Sequence, residues 1–315
     1  MAVTLKDIAR ECGVSYSTVS KALKDSPLVT EATKRKIKEK AEQMNYIPNN
    51  SARSLVSNRS NTIGLIWPAV DRVAITTLAS QINQALKKEG YFMVVSIEDP
   101  ITAAQKFLEL RFDGVIVFDE GEHTTLPTKI TKNIPVVAYG VERELDYPII
   151  NVNHDLAMKQ AIDALIHKGY HQVDYFGDLH TNDIRQIVKK DTFIRHCKQR
   201  RITYRMVDSG GLSEESASRA MKSFLANHDL NGGVVCGSYD ITMGLLHHVK
   251  DTKQTPMIFS YDHIDQFNSI DTPIHSVGVP SHFIAQKLVD VLVDTIETNK
   301  VNRSVIQLKP QINYR

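Results

Sequence analysis

Residues 4–23 read TLKDIARECGVSYSTVSKAL, and two short helices separated by a glycine turn are legible in them. Leu5, Ile8, Ala9 and Cys12 recur at i, i+3, i+4 and i+7, one face of a helix. Gly13 can end that helix, because glycine tolerates the left-handed conformation found just past a helix C-terminus. Ser15 is a good N-cap for a second helix, with Val19, Ala22 and Leu23 on its inner face. Thr30 can cap a third, with Glu31 favourable to the dipole in its first turn and Ile37, Ala41 and Met44 as its apolar stripe. Two helices joined by a tight turn containing glycine form the helix-turn-helix pattern.

Outward from this head, Pro48 breaks the chain, and residues 49–60 (NNSARSLVSNRS) are polar apart from Ala52, Leu55 and Val56. So short a segment is not a stable helix alone in water, and it reads as a linker that becomes helical when something orders it. From Thr62 the pattern changes to strands alternating with helices. The strands are TIGLI (62–66), FMVVSI (92–97), GVIVF (114–118), PVVAY (135–139), IINV (149–152), VDYFG (173–177), TYRMV (203–207), GVVCG (233–237), MIFSY (257–261) and SVGV (276–279). Amphipathic stretches such as 75–89, 155–168, 214–228 and 281–298 lie between them. Short apolar strands alternating with helices imply parallel sheets covered on both faces. Ten strands exceed one usual sheet, so the expected class is α/β, with two similar lobes and a ligand cleft at the carboxyl ends of the strands.

Composition is consistent with this. The 315 residues are 42% hydrophobic and 23% charged, which excludes a disordered or fibrous chain. No apolar run reaches the roughly 18 residues of a membrane span, and no signal segment opens the chain, so no membrane association is expected. Three cysteines, odd in number and far apart, argue against a disulfide framework and for a reducing cytoplasm. Neither cysteine spacing nor the twelve histidines show a metal site. The net charge of +2 is unevenly spread: residues 1–60 carry eleven Lys/Arg against six Asp/Glu, and the remainder is slightly acidic. A small basic head on a near-neutral body suits a polyanion-binding module, although charge alone favours the alternative of a solvated helix face.

The stretches TLKDIARECGVSYSTVSKAL, NYIPNNSARSL (45–55) and NTIGLI (61–66) closely resemble the head and hinge of LacI-type bacterial transcription regulators. The resemblance continues through DGVIVF (113–118), IPVVAYG (134–140), GSYDITMG (237–244) and FSYDHI (259–264), and so spans essentially the whole chain. It implies a helix-turn-helix head at 1–47, a hinge at 48–59, and a periplasmic-binding-protein-like core at 60–315. Within that core it implies a first lobe of about 60–152 and 277–300 and a second of about 153–276 and 301–315. No leucine heptad tail follows, so the resemblance implies a homodimer rather than a tetramer. A cytoplasmic regulator that binds a pseudo-palindromic operator in double-stranded DNA, with operator binding controlled by a small molecule, is the expected function.

The second helix is then the one that enters the major groove. By the family pattern Tyr16, Ser17 and Lys21 stand at base-reading positions, and lysine can donate to guanine O6 and N7. Thr4, Ser15, Thr18 and Ser20 resemble phosphate contacts, which set register without reading sequence. Ser15 can cap and contact phosphate at once, and Tyr16 can instead pack on the head's own surface. In the hinge, Leu55 matches the family's minor-groove wedge, which unstacks a base step and kinks the duplex; its alternative is ordinary core packing. Asn49 and Ala52 match other groove-lining positions, and Arg53 is either a phosphate contact or a solvated charge.

For the effector, Asp262 matches an aspartate that holds ligand hydroxyls in sugar-responsive relatives, and is otherwise a turn residue after a strand. Tyr239 and Asp240 match an Asn-Asp pair at a helix start, where Asp240 can simply favour the dipole. Lys189, within VKKDTF, stands where an arginine usually binds the ligand, and a lysine lacks the planar fork. Ala74 and Ile75 occupy positions where the family often has two aromatics, leaving Trp67 as a replacement stacking surface or a packing residue. A sugar or sugar derivative is the expected effector, with a phosphorylated, acidic or nucleobase effector or a protein corepressor as the alternative.

No G-x-G-x-x-G, G-K-[ST] or G-x-S-x-G loop is present, so no catalytic residues and no cofactor are expected. A solute-binding protein would suit the core but not the basic head. An α/β enzyme with a basic appendage is the remaining alternative.

Overall fold

The computed structural model describes residues 3–47, 59–67, 72–230, 232–249 and 256–315, apart from the side chain of His123. By its contacts the chain divides into two compact units, Met1–Ser60 and Asn61–Arg315.

In the first unit, α1 (Leu5–Cys12), α2 (Tyr16–Leu23) and α3 (Glu31–Gln43) close on a core of Ile8, Ala9, Cys12, Val19, Ala22, Val29, Ile37 and Ala41. Each helix begins on a hydroxyl cap. Thr4 and Asp7 form a reciprocal capping box, Ser15 Oγ accepts from the Thr18 N–H at 3.1 Å, and Thr30 accepts from the Thr33 N–H. Gly13, at φ 67°, turns the chain from α1 toward α2, and the Val14 N–H closes back on the Ala9 carbonyl at 3.0 Å.

The second unit has two six-stranded sheets. The first joins β1 (Thr62–Ile66), β2 (Phe92–Ser96), β3 (Gly114–Phe118), β4 (Val136–Gly140), β5 (Ile149–Val152) and β11 (Val305–Leu308) in the order β11-β5-β4-β3-β1-β2. The second joins β6 (Gln172–Gly177), β7 (Thr203–Asp208), β8 (Gly233–Cys236), β9 (Ile258–Ser260), β10 (Ile274–Gly278) and β12 (Gln311–Asn313) in the order β12-β10-β9-β8-β6-β7. Every pairing is parallel except β10 with β12. The fold is thus α/β with N-terminal helices, as the strand–helix alternation requires.

Helices α4 (Val73–Lys88) and α11 (Ser281–Thr298) bury Ile75, Leu78, Ile82, Leu86, Leu288 and Leu292 on one face of the first sheet. On the other face α5 (Pro100–Glu109) lays Phe107 across β1. Glycine is required at position 64 there, since a Cβ would stand 2.2 Å from the Phe107 ring. In the second sheet α7 (His154–His167) and α8 (Ile184–Arg200) cover one face, and α9 (Glu214–Leu225) and α10 (Tyr239–Val249) the other.

One boundary differs from the sequence reading, which gives 301–315 to the second lobe. Val305–Leu308 pairs with β5 of the first sheet, in register Val305 with Ile149, and only Gln311–Asn313 joins the second. Likewise β10, which includes Val277 and Gly278, pairs with β9 and β12, so the second sheet runs past residue 276. The reason is the parallel edge that β5 presents: its ladder groups are satisfied by the next strand to run alongside it.

Candidate nucleic-acid interface and ligand cleft

In the head, the N-cap at Ser15 fixes which side of α2 faces out. Val19 and Ala22 are buried, and Tyr16, Ser17 and Lys21 are exposed, Tyr16 at 53%. Thr18 and Ser20 are half-buried beside them. Ser15 Oγ also exchanges hydrogen bonds of 2.8 Å with the hydroxyls of Ser17 and Thr18, so three hydroxyls cluster at the helix N-terminus. Such an end presents unpaired N–H groups and a positive dipole, which suit a phosphate. Lys6, Lys21 and Lys24 are exposed and, among the described residues, form no ion pair. The face is therefore polar, cationic and uncommitted. Asn49, Ala52, Arg53 and Leu55 lie outside the described residues.

In the second unit a cavity of about 80 Å³ lies between the two sheets, at the carboxyl ends of their strands. The first lobe contributes Arg72, Ala74, Ile75, Leu78, Phe118, Tyr139 and Val152; the second contributes His154, Arg185, Gln186, Lys189, Tyr261, Asp262, His263 and Gly278. This is the topological switch region of both sheets, where β1 and β3, and β6 and β8, diverge.

Lys189 and Asp262, singled out from sequence, both line this cavity. Lys189 is 4% exposed; its Nζ donates to the Gly237 carbonyl at 2.9 Å and sits 3.8 Å from the centre of the Tyr261 ring. Burial pulls its pKa down from 10.5 to about 8. Asp262 Oδ2 accepts the Tyr239 N–H at 2.7 Å, so one of its oxygens caps α10. Tyr261 shares a hydrogen bond with His154 Nδ1, and burial holds that imidazole down at about 3.

Three other expectations fall differently. The described lining does not include Trp67, which is 2% exposed and packs edge-on against Phe118 at 4.6 Å within the first lobe's core. Tyr239 packs on Phe267 instead of entering the cavity. Asp240 clips the lobes together: its Oδ1 accepts the Val73 N–H at 3.3 Å and its Oδ2 stands 3.8 Å from Arg72 Nε. Burial pushes the Asp240 carboxyl pKa up, and the nearby Asp262 charge adds to this.

Arg72 and Arg185 were not singled out, and they dominate the site. Arg185 is 6% exposed, forks onto Asp183 at 3.0 and 2.9 Å, faces Glu120 at 3.5 Å and lies over the Phe118 ring. Burial alone would raise the Asp183 pKa, but the Arg185 charge and its hydrogen bonds outweigh this and hold it at about 2. The available signal was the spacing of Arg185 and Lys189, four residues apart and hence on one helix face. Ala74 and Ile75 do line the cavity, and its aromatic surfaces are Phe118, Tyr139 and Tyr261 instead. Among the described residues no cluster of three or more His, Cys, Asp or Glu could hold a metal ion.

A helix-turn-helix head with an open cationic face, joined to a two-lobed α/β core with a polar cleft, defines a DNA-binding regulator with a periplasmic-binding-protein-like core. Residues 4–49 match the family model for bacterial regulatory proteins of the lacI family. Catabolite control protein A of Priestia megaterium is 24% identical, over 100% of this chain and 99% of its own. The probable HTH-type transcriptional repressor ExuR of Bacillus subtilis (strain 168) is 29% identical, over 78% of this chain and 76% of its own. In fold, the lac repressor bound to ONPG in its repressed state superposes with a TM-score of 0.83 at 19% identity, covering 100% of this chain and 99% of that one. Head and core together are similar to the LacI-type bacterial transcription regulators.

Proposed function

We propose that this regulator is a repressor that binds a pseudo-palindromic operator as a homodimer, and that a small polar molecule, a sugar or sugar derivative, binds in the cleft and shifts operator affinity. The observation that carries the DNA part is the solvent-facing row of Tyr16, Ser17 and Lys21 on a capped α2. Support for a dimer comes from β2, an edge strand whose Phe92, Val95 and following Ile97 are 69%, 45% and 66% exposed. An exposed apolar edge invites a partner. Support for the ligand part is a buried, polar-lined cavity spanned by clips that a change of lobe spacing would break. Leu55, with Asn49, Ala52 and Arg53, is the proposed link between cleft and operator, ordered when two hinges meet over the minor groove.

The test is selection from randomised duplexes by the full chain. Wild-type protein enriches a two-fold-symmetric site, and Lys21→Ala weakens it by about 1–3 kcal/mol and relaxes preference at one position per half-site. Failure to enrich any site, or an unchanged preference in Lys21→Ala, refutes the assignment of α2 as the reading helix.

A further inference from the structure

Of the cleft's three cations, two have no hydrogen-bonded carboxylate partner among the described residues. Arg185 and Lys189 project from one face of α8, and Arg72 reaches in from the opposite lobe. Buried charges persist when they are paired, and like charges one helical turn apart repel. Arg185 is satisfied by Asp183. The other two are not. Among the described residues Lys189 bonds only a carbonyl oxygen and forms no ion pair, and Arg72 Nε is buried without a hydrogen bond. The carboxylate nearest Arg72 is Asp240, at 3.8 Å, beyond hydrogen-bond reach, and its other oxygen already accepts the Val73 N–H. Unused acceptors lie in the same cavity. Gln186, 3% exposed, leaves its Oε1 without a partner, and Asp262 spends only Oδ2 on the Tyr239 N–H.

We propose that the cleft selects a polyhydroxylated ligand carrying one anionic group, a carboxylate or a phosphate, with Arg72 and Lys189 taking the anion and Asp262 and Gln186 the hydroxyls. This rests on the reading of the cleft as a small-molecule site. Binding the anion neutralises Lys189 and fills the open side of Arg72, so closure of the two lobes is tied to the ligand's charge. The hydroxyls donate to the free Asp262 oxygen and to Gln186 Oε1, which a bare anion cannot do.

The experiment is calorimetry and thermal shift on the full chain with matched probes. Glucose, galactose and ribose are compared with glucuronate, galacturonate and gluconate, and with glucose 6-phosphate and ribose 5-phosphate. The expected result is that an acidic or phosphorylated probe binds at least tenfold more tightly than its neutral parent; the carboxylate and phosphate arms identify which anion is preferred. Lys189→Met and Arg72→Gln then lose that preference at least tenfold, and Lys189→Arg retains most of it. A neutral sugar that binds as tightly as its charged counterparts, with Lys189→Met unaffected, overturns the charge selectivity and leaves the small-molecule cleft standing. Wild-type protein that binds no probe counts against the cleft reading itself.

Discussion

Lys189→Met should make the ligand-free protein more stable. The wild-type ammonium has its pKa drawn from 10.5 down to about 8, so holding it charged at neutral pH costs about 3 kcal/mol. Methionine is similar in length, uncharged and suited to an irregular apolar gap. The change forfeits the bond to the Gly237 carbonyl and the contact with the Tyr261 ring, each about 1 kcal/mol. The balance is a gain of about 1 kcal/mol, or about 2–4 °C in Tm for a unit of this size. The pH dependence is the sharper signature. In the native state Lys189 gives up its proton near pH 8, whereas the unfolded chain keeps it to about 10.5. Across that window the unfolded state binds more protons, so wild-type stability gains with rising pH. The advantage of Lys189→Met is therefore full well below pH 8, is cancelled by about pH 9, and becomes a deficit of about 2 kcal/mol by about pH 10.5. His154, at about 3, and Tyr139, at about 12, titrate outside the window, and Asp183, Asp262, Arg72 and Arg185, the other charged neighbours, are common to both proteins. Thermal melts of both proteins from pH 7 to 10.5 read the difference directly. A variant that melts several degrees below wild type at pH 7, or a gap that does not change with pH, refutes the account of Lys189 as a strained buried cation.

Two further predictions concern local geometry. Ser15→Ala removes the acceptor for the Thr18 N–H and should cost the head about 1 kcal/mol, seen as faster amide exchange across Tyr16–Leu23 with the exchange of β3 unchanged. Gly64→Ala places a methyl group against the Phe107 ring inside the first lobe and should lower the urea midpoint by an amount worth about 1–3 kcal/mol at unchanged m; an unaltered midpoint would show that the ring yields freely.

Ten strands were legible because each is a short, largely apolar run bounded by turn residues, most of them buried on both faces, as GVIVF at 114–118 illustrates, with β2 and β7 partly exposed at the sheet edges. The strands VIQL and QIN were not, since both lie on sheet edges, alternate with polar residues and are half exposed. Their place is set by sheets whose other members lie far away in sequence. The site shows the same division. Lys189 and Asp262 could be found from local motifs, whereas Arg185 sits in IRQIVKK, a stretch that reads as a solvated helix face. Its burial comes from Phe118 and Glu120 of the opposite lobe, which no local window contains. Trp67 ends its strand where the sequence puts it, but its ring turns to Phe118, a choice made by tertiary packing.

The two strands that complete the sheets carry a consequence for how the molecule is made. Val305 pairs with Ile149, and Ser276 with Asn313, so the first sheet gains its last member only after the whole second lobe has been threaded through. Neither lobe is a continuous stretch of chain, and neither can mature independently as it leaves the ribosome. Contacts spanning such separations slow folding, because a long loop must close before they contribute. Until then the β5 edge stays open, and the nascent protein presents an unpaired parallel edge of Ile149, Ile150 and Val152. That interval, rather than the finished structure, is where a chaperone would have most to protect.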